Sequence, residues 1–62
     1  MNKKGLLKVI KKDLEEYMVS GKDSLIRRAE ENHGLYLELG GRKRFQTIKN
    51  NVMREVANSQ VW

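Results

Sequence analysis

The chain has 62 residues, with 13 Lys+Arg against 8 Asp+Glu, a net charge of +5, no Cys, no Pro and one His. At this length a single domain hides only about 60% of the surface its unfolded chain exposes. A deep substrate cavity of ~300 Å³ or more is then hard to build, and an enzyme is not expected. The lack of Cys excludes a disulfide framework and a Cys-based zinc site, and one His makes no cluster, so no metal or cofactor is expected.

Met1-Asn2-Lys3-Lys4 looks like the start of a signal peptide, but Lys8, Lys11 and Lys12 interrupt the apolar residues that follow. No apolar core of a leader forms, and a cytoplasmic location is expected. No apolar run approaches ~20 residues, so no membrane span is expected. Leu6, Ile10, Leu14 and Tyr17/Met18 recur at helical spacing and predict a helix over 6–19. Its charges oppose the helix dipole, with Lys early and Glu late, so packing must hold it.

Ser20-Gly21-Lys22-Asp23 reads as a break and restart, with Ser20 and Asp23 spaced as in a capping box. A second helix is predicted over 22–32, burying Leu25, Ile26 and Ala29, with His33-Gly34 as its stop. Leu35-Tyr36-Leu37-Glu38-Leu39 alternates as a strand does, Gly40-Gly41 signals a turn, and Arg42–Thr47 is the candidate return strand. That gives a hairpin over 35–47 whose register stays open. A last helix is predicted over 48–59, with Ile48, Val52, Met53 and Val56 inward, followed by a short apolar tail over 60–62. Phe45 fits the same helical spacing, so a longer helix starting near Lys43 is the alternative for this region.

The expected fold is therefore one α+β, mostly helical domain, a small winged helix-turn-helix of order α-α-β-β-α. The alternative is three helices with a single strand. In a winged helix-turn-helix the second helix enters the major groove. Its outward face carries Ser24, Arg27, Arg28 and Glu31; Arg reads guanine through two hydrogen bonds, and Glu accepts from cytosine N4. The turn Arg42-Lys43-Arg44 supplies the wing contacts to the backbone or the minor groove.

The charge is divided along the chain. Residues 1–12 hold Lys3, Lys4, Lys8, Lys11 and Lys12 and no acid, or +5. Residues 13–41 hold Lys22, Arg27 and Arg28 against Asp13, Glu15, Glu16, Asp23, Glu30, Glu31 and Glu38, or −4. Residues 42–62 hold Arg42, Lys43, Arg44, Lys49 and Arg54 against Glu55, or +4. Basic segments imply an anionic partner, so DNA contacts rest on the two ends more than on the central helix.

The stretch Tyr17-Met18-Val19-Ser20-Gly21-Lys22-Asp23-Ser24-Leu25-Ile26-Arg27-Arg28-Ala29-Glu30-Glu31-Asn32 resembles the helix-turn-helix of small excisionases, the recombination directionality factors of phages and conjugative transposons. Leu35–Thr47 and Ile48–Ser59 follow in the order of that family's hairpin and closing helix. The resemblance implies a MerR-like winged fold that binds double-stranded DNA beside an integrase and favours excision, or represses transcription. It sets Arg27 and Arg28 in the major groove and Arg42 and Arg44 on the wing.

A second class of function is a phage- or plasmid-type module that docks on a host protein. The acidic middle, the exposed strand Leu35–Leu39, which could add to a partner's sheet, and the tail residues Val61 and Trp62 motivate it, Trp being a frequent interface anchor. A homodimer is compatible with either class. Lys3–Lys12 with Leu6, Leu7, Val9 and Ile10 also has the pattern of a membrane-surface helix, but a chain this short needs those apolar residues for its core.

Overall fold

The computed structural model describes residues 2–59. It contains three helices, α1 (Lys3–Ser20), α2 (Asp23–Glu38) and α3 (Phe45–Ser59), and no strand among the described residues. The winged α-α-β-β-α fold is thus replaced by an all-helical one, and the hairpin over 35–47 does not form. The single strand of the alternative reading is absent too, because residues 35–38 are the last turn of α2. The tail Gln60-Val61-Trp62 lies outside the described residues.

α1 starts three residues earlier than its apolar stripe suggests. Asn2 caps it, its Oδ1 accepting from the Gly5 amide at 2.8 Å. α1 stops at Gly21, which takes a left-handed φ of 71° and donates its amide to the Tyr17 carbonyl. That conformation suits glycine because a Cβ would crowd the backbone. Ser20 is no cap for α2. It ends α1 and donates its hydroxyl to the Glu16 carbonyl, while α2 begins without a side-chain cap.

α2 runs straight through His33-Gly34. Its inward residues Ala29 and Tyr36 lie seven apart, two helical turns, and both are buried. The alternating leucines that suggested a strand are the flanks of this helix: Leu35, Leu37 and Leu39 are each about half exposed. Gly40-Gly41 ends the helix instead of turning a hairpin. Gly40 has φ 92°, its amide bonds the Leu37 carbonyl, and the Gly41 amide bonds the Tyr36 carbonyl at 2.9 Å. These two bonds with a left-handed residue make a Schellman cap.

α3 takes up Phe45, Ile48, Val52 and Val56 on one face, the helical pattern that competed with the return strand. α1 is the central element, packing against both α2 and α3, which barely touch each other. The core is Leu6, Ile10, Leu14, Ala29, Tyr36, Ile48 and Val52, flanked by Leu7, Met18, Phe45 and Val56. Full burial of one such aliphatic side chain contributes roughly 1.5–3 kcal/mol.

One ion pair ties α1 to α2. Arg28 donates from Nη2 to Asp13 Oδ1 at 2.9 Å and from Nε to Oδ2 at 3.2 Å. The Asp13 side chain is only 6% exposed, whereas that of Arg28 is 60% exposed. The hydrogen bond to Asp13 and its negative charge hold the guanidinium above its ordinary pKa. The stability linked to that raised value is complete below the unfolded guanidinium pKa and is lost only as pH rises through the folded one. Arg28 therefore stays charged throughout the neutral range.

Candidate nucleic-acid interface

The direction of the helices sorts the charges. α1 runs out and α2 runs back, so Tyr36 of α2 returns to line one groove with Lys3, Lys4 and Leu7 of α1. α3 then starts from that end and runs alongside α1, its Glu55, Val56 and Ser59 sharing a groove with Glu15 and Val19. The molecule is 38 Å long and 21 × 18 Å across. The amino ends of α1 and α3 lie at one end of it, and their carboxyl ends at the other.

At the first end the segment Gly40–Arg44 folds over Tyr36. The Lys43 amide donates to the Tyr36 hydroxyl at 3.4 Å. His33 Nε2 lies 2.9 Å from the Lys43 carbonyl oxygen. A carbonyl only accepts, so this contact requires the proton on Nε2. The His33 ring also meets Tyr36 and Phe45, with centroids 5.8 and 5.5 Å away. A Cβ on Gly41 would overlap the Tyr36 ring, so only glycine lets the backbone lie this close. Gly40 in turn sits near Lys3, whose Nζ would be 4.0 Å from a Cβ placed there.

The result is a groove of about 280 Å³ lined by Lys3, Lys4, Leu7, Tyr36, Gly40, Gly41, Arg42 and Lys43. Among the described residues its lining has four cations and no acid. Exposed Arg44 adjoins it in the chain. The first turns of α1 and α3 carry no acidic residue, so two positive helix ends add to the positive side chains, against the one negative end of α2. This basic pole repels itself in the free protein and is suited to an anion.

The residues expected to contact DNA fall in three places. Arg42, Lys43 and Arg44 belong to the basic pole. Arg27 is exposed on α2, and Arg28 is engaged by Asp13. Ser24 lies at the opposite end, in a groove of about 610 Å³ with Glu15, Glu16, Val19, Ser20, Lys22 and Leu25. Val61 and Trp62, the expected partner contacts, lie outside the described residues. Sequence reasoning missed Lys3 and Lys4 as companions of Arg42 and Lys43, and missed His33 as the anchor of the connecting segment. The +5 amino end was the available signal for the lysines. His33 carried none, because its partner is a backbone carbonyl ten residues on.

Fold and surface together define a small three-helix protein with one cationic end. Comparison with protein-family models, with curated proteins and with solved structures finds no match to the chain. Among the described residues no helix is long and apolar enough to cross a membrane.

Proposed function

We propose that the protein is a DNA-binding accessory protein that holds the phosphate backbone of double-stranded DNA with its basic pole. The observation that carries this reading is the groove where Lys3 and Lys4 meet Arg42 and Lys43 without an acid among them. Phosphate contacts position a protein on a duplex and supply most of its salt-dependent affinity. The excisionase resemblance implied base reading by the second helix and a wing. Arg28 is already committed to Asp13, Ser24 sits among glutamates, and no wing is present among the described residues. The proposal therefore keeps the DNA backbone contact and leaves out base reading through Ser24 and Arg28. Its place is beside another DNA-bound protein, such as an integrase, that supplies sequence choice.

Fluorescence anisotropy with a labelled duplex tests this. With about four phosphates neutralised, the log–log slope of affinity against salt is roughly −4, a loss of about 200-fold between ~50 and ~200 mM. Arg42→Ala/Lys43→Ala should reduce that slope by about two. Affinity that ignores salt, or a double variant that binds as wild type does, sinks the proposal.

A second reading, docking on a host protein, draws on the half-exposed Leu35, Leu37 and Leu39 at the end of α2. Isolated apolar residues are ordinary on protein surfaces, so this reading ranks second. Leu35→Lys/Leu39→Lys should abolish capture of a host partner and leave duplex affinity unchanged or higher. Capture that survives the double variant refutes it.

A further inference from the structure

The end of the molecule opposite the basic pole carries the opposite charge. Val19 stands there 78% exposed, the most exposed of the large apolar side chains among the described residues. It separates two shallow grooves, one holding Glu15, Glu16 and Leu25 and the other Glu15, Glu55 and Val56. Lys22 is the one cation lining either groove among the described residues. The last turns of α1 and α3 carry no basic residue, so their two negative helix ends stand against the one positive end of α2 that starts there. An apolar ridge set among glutamates thus lies at one end. A groove with Leu7 and Tyr36 in its lining, set among Lys3, Lys4, Arg42 and Lys43, lies at the other.

We propose that the occupant of each end is a second copy of this chain, seated head to tail, Val19 of one copy entering the basic groove of the next. Such a contact uses two different patches, so it can extend into an open chain of molecules. The net charge of +5 does not forbid it. Charges are screened over ~8 Å at physiological salt, and the molecule is 38 Å long, so each end acts through its own local charge. An end face bounded by a 21 × 18 Å cross-section buries well below the ~1,200–2,000 Å² of stable complexes. The association is accordingly weak, with a Kd of about 0.1–1 mM, and sensitive to salt. It goes beyond the DNA-binding reading and uses the same groove, so duplex and second copy compete for it.

Two charge-swapped variants test the geometry. Glu15→Lys/Glu16→Lys blocks the acidic end and keeps the basic one. Lys3→Glu/Lys4→Glu does the reverse. Both swaps favour the dipole of α1, and circular dichroism checks that the fold is retained. In sedimentation velocity up to about 1 mM, the wild type should show a sedimentation coefficient that rises with concentration. Each variant alone should stay monomeric, and their equimolar mixture should recover association, because each variant then meets an end of opposite charge. Val19→Lys should weaken wild-type association about tenfold or more. A wild type that remains monomeric overturns the proposal, as does a single variant that associates as the wild type does, or a mixture that stays monomeric. The Glu15→Lys/Glu16→Lys variant retains the basic pole, so its duplex affinity reports on DNA binding separately.

Discussion

Gly41 and Gly21 close the two helices that meet at opposite ends of the molecule, and they serve their ends differently. Gly21 ends α1 in open space, with nothing within 4 Å of where a Cβ would lie. Gly41 lies against the Tyr36 ring and brings the cationic segment down beside Lys3 and Lys4. One glycine serves only the backbone, and the other also shapes the surface. The same contrast holds for charge. The acidic end is assembled largely from residues near one another in sequence, Glu15 and Glu16, with Glu55 added by α3. The basic end requires two segments far apart in sequence to meet, so it exists only in the folded chain.

The largest expected effect falls on both ends together. Ile10 is fully buried at the middle of α1, and Ile10→Ala should cost about 2–5 kcal/mol. A chain of this size has roughly 3–9 kcal/mol in total. Thermal melts followed by circular dichroism should show a large loss of Tm or an unfolded baseline. A loss of a degree or two would mean that α1 is not the central element.

Gly41→Ala should separate the ends. Its methyl group meets a buried ring, an overpacking that costs about 1–3 kcal/mol, and the relief moves Arg42 and Lys43 away from the lysines of α1. Gly21→Ala should cost about 1 kcal/mol through its left-handed conformation alone. Urea melts measure the two losses. Below the melting range only Gly41→Ala should weaken duplex binding, and equal weakening by both would erase the distinction. The smallest effect is a gain. Gly34 is helical, with nothing within 4 Å of where an alanine methyl would lie, so Gly34→Ala should raise stability by about 0.5–1 kcal/mol. A loss on the same urea melts would place a constraint at Gly34 that the helix does not account for.

How far the sequence revealed these features depended on which residues point inward. α1 was legible because Leu6, Ile10 and Leu14 form an unbroken stripe. The second half of α2 was not. Its inward line passes from Ala29 by the half-buried His33 to Tyr36, while the leucines lie on its flanks. Hydropathy there is nearly inverted, and five alternating residues imitate a strand. Gly40-Gly41 deepened the error, because a left-handed glycine ends a helix as readily as it turns a hairpin. Arg42-Lys43-Arg44 stood out as a cation cluster in any fold. That Lys3 and Lys4 join it depends on α2 extending to Glu38 and returning the chain to the start of α1, which no local pattern encodes.

The most direct test of the basic pole is amide chemical-shift mapping during titration with a short duplex. At ~20 μM protein, well below the self-association Kd, perturbations should concentrate at Lys3, Lys4 and Gly40–Arg44, shrink as salt is raised, and spare Glu16, Val19 and Ser24. Shifts centred on Ser24, Arg27 and Arg28 instead would return DNA recognition to α2 and contradict a phosphate contact at the basic pole.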